Sequence, residues 1–112
     1  MATSYDISIE QGSTLNLKFN ALDSFGNYLN LSGYQARGKM KYNYGSSGYL
    51  LDLSPQIDTG YSSGLINVSV SASITSGLPV TKGVYDIEVY NSGSTIRVSK
   101  GYAEVSPEVT FS

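Results

Sequence analysis

Apolar and polar residues alternate with a period of two along most of the chain, and this pattern restricts the fold more than any other feature of the sequence. Leu15, Leu17 and Phe19, for example, are separated by single polar residues. Alternation of this kind is the period of a β-strand that has one face in the core and the other in solvent. The sequence therefore predicts an all-β protein.

Clusters of Gly, Ser, Asn and Asp separate the alternating runs at short intervals, as turns do between antiparallel strands. Residues 73–79 are the one helical candidate, because Gly77 and Pro79 would end a single turn there. About seven short antiparallel strands predict an immunoglobulin-like β-sandwich, and a closed barrel is the alternative. A chain of 112 residues has the size of one domain, so we assign residues 1–112 to a single domain.

The alternation also predicts which side chains form the core and which face solvent. Val84, Asp86, Glu88 and Tyr90 are expected on the outer face of one strand, and Gly101 is expected at a bulge or bend. Residues 1–4 and 107–112 lie outside strong alternation, so we expect them to be mobile in the isolated domain. The predicted core consists of Leu15, Leu17, Phe19, Ala36, Met40, Leu51, Leu53, Ile66, Val68, Val70, Tyr85, Ile87, Val89, Ile96 and Val98.

Composition argues against most catalytic functions. The chain has no His and no Cys, which excludes chemistry that needs an imidazole or a thiolate, including the usual zinc and iron–sulfur sites. We expect no cofactor, no metal and no enzymatic activity. A net charge of −2 with only seven Lys and Arg residues argues against a nucleic-acid partner. No stretch approaches the roughly 20 apolar residues that span a bilayer, so we expect no membrane partner and synthesis in the cytoplasm.

The abundance of tyrosine instead favours binding through a surface. Ten residues are Tyr, whereas only 14% of the chain is charged, a composition typical of protein interfaces. One candidate surface combines three cations on one strand face with nearby aromatic rings. The alternative is a solvated face whose lysines discourage aggregation between strand edges. The residues of this candidate surface are Arg37, Lys39, Lys41, Tyr42, Tyr44 and Tyr49.

Other arrangements of polar residues are weaker candidates. Asp86 and Glu88 lie on one strand face, as a glycosidase pair would, but a cross-strand ion pair with Arg97 is the favoured interpretation. Asp52 and Asp58 offer oxygen ligands for calcium without the spacing of an EF-hand loop. A sugar platform is a further alternative, with protein contact favoured over it. Its candidate rings are Tyr5, Tyr28, Tyr44, Tyr61, Tyr90 and Tyr102.

The end of the sequence suggests a second contact. Val109 and Phe111 belong to a short segment of high β propensity, which predicts strand addition to the sheet edge of a neighbouring subunit. Tyr61 is expected to take part in a further contact together with the tyrosines of residues 42–49. The alternative is that Val109 and Phe111 pack on their own domain.

Four blocks of sequence, taken in their order and spacing, resemble a group of small tailed-bacteriophage virion proteins that have an immunoglobulin-like sandwich. The likeness extends over nearly the whole chain. The blocks are Ile9-Glu10-Gln11-Gly12-Ser13-Thr14, Asn30-Leu31-Ser32-Gly33-Tyr34-Gln35-Ala36-Arg37, Tyr85-Asp86-Ile87-Glu88 and Gly101-Tyr102-Ala103-Glu104-Val105-Ser106-Pro107-Glu108-Val109-Thr110.

The resemblance implies a non-enzymatic structural or adaptor protein of the virion, located in the tail, baseplate or neck. It implies other virion proteins as partners, in symmetric multiples, and it supplies no catalytic residues. Capsid decoration and carbohydrate binding are the alternative functions. This chain does not continue into a fibre or receptor-binding region as longer members do, so we do not expect receptor binding within it.

Overall fold

The computed structural model describes residues 3–23, 25–60 and 63–107, and nearly all of its regular secondary structure is β-strand. One short helix, α1, follows the seventh strand and confirms the single helical turn expected near residues 73–79. The elements in chain order are β1 (Thr3–Ser4), β2 (Ile7–Glu10), β3 (Leu15–Asn20), β4 (Gln35–Lys41), β5 (Leu51–Asp52), β6 (Gln56–Ile57), β7 (Leu65–Val70), α1 (Ala72–Thr75), β8 (Lys82–Asn91) and β9 (Ser94–Ser106).

The strands form two sheets. The larger sheet has the order β1-β9-β8-β4-β5, with β2 also paired to β9, and the smaller sheet has the order β3-β7-β6. The prediction of an all-β sandwich is thus confirmed, and this division of strands is the one typical of immunoglobulin-like domains. One difference from the predicted antiparallel arrangement is that β1 and β2 pair with β9 in parallel.

The core lies between the two sheets and agrees with the alternation. Every predicted core residue is either buried or partly buried against the core, the partly buried ones being Leu17, Ala36 and Ile96. The parallel strand β2 adds Ile7 and Ile9. The core also receives Ala21, Leu31, Leu78, Ala103 and Val105 from β9 and from the connecting segments.

The predicted bulge at Gly101 is wrong, because the irregularity lies three residues earlier. Ile87 pairs with Ser99 while Glu88 pairs with Arg97, so Val98 is an extra residue in β9. Val98 and Ser99 are consequently both buried. Gly101 pairs with Tyr85 in regular register, and a side chain there would collide with the backbone of Tyr5.

Two further expectations need correction. Val84 does lie on the outer face, in register with Lys41 and Tyr102, but it is buried rather than exposed because longer side chains flank it on both neighbouring strands. Of the N-terminal residues expected to be mobile, Thr3 and Ser4 form β1. The remaining terminal residues, 1–2 and 108–112, lie outside the described part of the chain.

Candidate interaction surface

The candidate surface is built on the outer face of the larger sheet, where β4 and β8 lie side by side. Arg37, Lys39 and Lys41 all project from β4 on this face, as the alternation predicted, because Met40 and Gly38 face the core. The register places Arg37 opposite Glu88 and Lys39 opposite Asp86. Cations of one strand therefore face carboxylates of the next.

Arg37 contacts two residues of the neighbouring strand β8. Its Nε donates to Oε1 of Glu88 over 2.8 Å, and its guanidinium carbon lies 4.4 Å from the centre of the Tyr90 ring. The Glu88 hydrogen bond raises the pKa of Arg37 above its ordinary value. Tyr90 in turn donates from its hydroxyl to Oε1 of Gln35. Arg37 thus links β4 to β8 through an ion pair and a ring contact, while its side chain remains about half exposed.

The carboxylates of β8 pair with arginine from both neighbouring strands, which supports the ion-pair interpretation of Asp86 and Glu88. Arg97 of β9 lies 3.4 Å from Asp86 and 3.8 Å from Glu88. Burial raises the pKa of Asp86, repulsion from Glu88 raises it further, and Arg97 acts in the opposite direction. The face therefore contains one carboxylate that is partly desolvated and surrounded by cations.

Lys39 and Lys41 have no ion pair within the described ranges. The ammonium nitrogen of Lys39 lies 4.5 Å from the centre of the Tyr49 ring, and that of Lys41 donates to the carbonyl oxygen of Ser46 over 3.4 Å. Together with Tyr44 they line a shallow depression that also includes Val84, Asp86 and Arg97. We call Lys39, Lys41, Tyr44 and Tyr49 the basic-aromatic surface.

The loop after β4 positions the two tyrosines of this surface. Asn43 accepts a hydrogen bond from the backbone of Gly45 at its side chain and one from the backbone of Ser46 at its carbonyl, which closes a tight turn. The chain then rejoins β4 where Leu50 donates to the carbonyl of Met40. Tyr44 lies within this turn and Tyr49 follows it; they remain 65% and 55% exposed, so their rings are available for contact.

The other predicted contact residues have different positions. Tyr42 is exposed and follows Lys41, the last residue of β4, so it lies outside the strand that carries the three cations. Tyr61, Val109 and Phe111 lie outside the described residues. Sequence reasoning left Val84 out of the candidate set although it lines the depression; its burial depends on neighbouring strands, which single-strand alternation does not show.

Asp52 and Asp58, the two aspartates considered as calcium ligands, accept hydrogen bonds from backbone N–H groups in turns. Asp52 accepts a hydrogen bond from the backbone of Ser54 at 2.9 Å, and Asp58 accepts one from Gly60 at 3.1 Å. Within residues 3–23, 25–60 and 63–107 there is no cluster of three acidic side chains suited to hold a metal ion.

Comparisons with other proteins leave this surface without an assignment. Neither a scan against protein-family models nor a search of curated proteins finds a match to the sequence. The described part of the chain contains no helix that is both long and apolar enough to cross a membrane.

Proposed function

We propose that this protein is a non-enzymatic structural or adaptor component of a tailed-phage virion, in the tail, baseplate or neck, that acts by binding other virion proteins. The virion assignment rests on the four sequence blocks that resemble small virion proteins. It implies that the chain is made in the host cytoplasm and incorporated into particles.

The observation that carries a role in binding is the basic-aromatic surface. Its two exposed tyrosine rings lie near the depression around Val84, together with two cations that have no ion pair with a described residue. Tyrosine combines a large apolar area with a polar tip, and interfaces are accordingly enriched in it. Lys39 and Lys41 favour a partner that presents carboxylates at this position.

Purified virions provide the first test. Quantitative mass spectrometry of the particles is expected to find the chain in a small symmetric multiple, as a tail, baseplate or neck component requires. A copy number near that of the major capsid subunit would indicate capsid decoration instead. Absence of the chain from the particles would overturn the virion proposal.

Variants then test the surface itself. Tyr44→Ser together with Tyr49→Ser is expected to reduce incorporation into particles by about tenfold or more, since exposed tyrosines at interface centres commonly contribute over 1 kcal/mol each. Tyr28→Ser, at an equally exposed ring in another loop, is the matched control. Equal incorporation of the two proteins would place the contact elsewhere.

Strand addition by residues 108–112 stays a prediction. Deletion of these residues is expected to leave the melting midpoint of the isolated domain unchanged and to abolish incorporation. A fall of many degrees in that midpoint would instead assign Val109 and Phe111 to the core of their own domain.

A further inference from the structure

The smaller sheet has an open edge along β3, on the opposite sheet from the basic-aromatic surface. β3 pairs with β7 on one side only. Ala21 donates to the carbonyl of Gly64, and the same register pairs Phe19 with Ile66 and Leu17 with Val68. In an antiparallel ladder the hydrogen-bonding direction alternates between successive residues.

It follows that the backbone N–H and C=O groups of Asn16, Lys18 and Asn20 point away from β7. Within the described ranges, no other strand pairs with this side of β3. Three donors and three acceptors are therefore aligned along about 13 Å, at a rise of about 3.3 Å per residue. Such an edge is a template for an additional strand.

An apolar cleft runs beside this edge, where the two sheets part. Tyr5, Phe19 and Val98 line it together with Lys18, Asn20 and Ser99. The rings of Tyr5 and Phe19 meet edge to face with their centres 6.3 Å apart, which gives the cleft a rigid aromatic wall. A strand added to β3 would direct every second side chain toward this cleft.

The charge of Lys18 at this edge favours some partner strands over others. Lys18 is the one charged residue in β3, β6 and β7, it is exposed, and no described carboxylate forms an ion pair with it. Opposite charges on directly paired residues stabilise a sheet, and like charges destabilise it. Two copies could pair symmetrically through all the outward backbone groups of Asn16, Lys18 and Asn20. This register would place Lys18 opposite Lys18, which argues against self-pairing.

We propose that the β3 edge binds an extended segment of a partner polypeptide that carries Asp or Glu opposite Lys18 and apolar residues on either side of that acid. The acid lies on the solvent face beside Lys18, and its apolar neighbours enter the cleft. This surface is separate from the basic-aromatic surface, so the inference stands or fails independently of the proposed function.

The experiment uses the full chain and a ribosome-displayed library of random twelve-residue peptides. The expected enriched motif is an acidic residue between two apolar ones. The best peptide is then synthesised, and amide hydrogen exchange is followed by NMR. Exchange at Asn16, Lys18 and Asn20 is expected to slow about tenfold at a peptide concentration about ten times its Kd. The amides of Leu17 and Phe19, already bonded to β7, are the internal reference.

Charge reversal provides the second readout. Lys18→Glu is expected to weaken binding of the same peptide by about fivefold and to shift selection toward a basic central residue. Lys100→Glu, at an exposed cation of the larger sheet, is the matched control and is expected to leave binding unchanged.

Three results would overturn the inference. The first is a library that yields no peptide, or only peptides whose binding protects amides elsewhere. The second is slow exchange at Asn16, Lys18 and Asn20 in the free chain, which would show that the chain covers its own edge. The third is protection of these amides that rises with protein concentration alone, which would indicate self-association.

Discussion

The two sheets of this sandwich present different surfaces to solvent. The larger sheet concentrates charge on its outer face, where Arg37, Glu88, Asp86 and Arg97 form a network of ion pairs across three strands. The strands of the smaller sheet contain one charged residue, Lys18. The four charged groups at the centre of the larger sheet pair with one another, whereas Lys18 of the smaller sheet has no ion pair with a described residue.

The difference separates the number of charged groups on a surface from the number of those groups that lack an ion pair. Exposed ion pairs contribute little to stability, but they occupy the groups that a partner would otherwise use. On the larger sheet, Lys39 and Lys41 lie beside the network and are among the cations that have no ion pair with a described residue. Four experiments test how far the two sheets differ.

Core truncations in the two sheets are expected to have the largest effects. Ile87 of the larger sheet and Val68 of the smaller sheet are both fully buried. Replacement of either by Ala is expected to lower the free energy of unfolding by about 1–4 kcal/mol, with the larger loss for Ile87 because more carbon atoms are removed. Urea denaturation measures both. Ile74→Ala, at an exposed side chain, is the control, and unchanged midpoints for Ile87 and Val68 would contradict the register.

A methyl group added between β4 and β8 is expected to have the next largest effect. A Cβ at Gly38 would lie 2.5 Å from Cδ1 of Ile87 and 2.8 Å from the carbonyl oxygen of Asp86. Gly38→Ala is therefore expected to cost about 1–3 kcal/mol in urea denaturation. A Cβ at Gly48 meets nothing within 4 Å, so Gly48→Ala serves as the matched control. Equal free energies of unfolding for the two variants would mean that β4 and β8 can separate freely.

The buried hydroxyl of Tyr85 tests a polar contact inside the larger sheet. This hydroxyl donates to the carbonyl of Tyr5 and lies 2.9 Å from Oγ of Ser99, and burial raises its pKa. Tyr85→Phe leaves both partners unsatisfied and is expected to cost about 1–2 kcal/mol. Thermal and urea unfolding of this variant are compared with those of Tyr28→Phe at an exposed ring, and identical losses would show that the buried network contributes nothing.

The smallest expected effect concerns the pH dependence of the charged face. Because burial raises the pKa of Asp86 in the folded protein, the native state binds more protons than the unfolded state just above the ordinary carboxyl pKa. Stability contributed by this group is therefore lost as pH rises through the folded pKa. Asp86→Asn is expected to flatten that decline in unfolding free energy measured across the acidic range. Two results would contradict the role of Asp86. One is a steeper decline in unfolding free energy for Asp86→Asn than for the parent protein, and the other is the same flattening in the control variant Glu104→Gln.

Much of the fold follows from local pattern. In β4 the two faces were predicted residue by residue, because each strand repeats the same alternation and a core faces only one side of it. The pairing of Arg97 with Asp86 and Glu88 was also predictable, since a short turn fixes which residues of a hairpin face one another.

What could not be predicted depends on contacts between distant segments. The extra residue Val98 reverses the alternation within β9, yet nothing in its local sequence marks it as different from its neighbours. The parallel pairing of β2 with β9 joins residues nearly the whole chain apart. The free edge at Lys18 likewise follows from which strands do not pair with β3.

The parallel pairing also sets the timing of folding. Ile7 pairs with Ala103, and Glu10 pairs with Ser106, so β2 leaves the ribosome before its partner strand β9 and cannot pair with it until the residues between them have been synthesised. Closure of so long a loop makes such contacts slow to form. Ile7 and Ile9 consequently lack their native pairing with β9 until residues 103–106 have been synthesised.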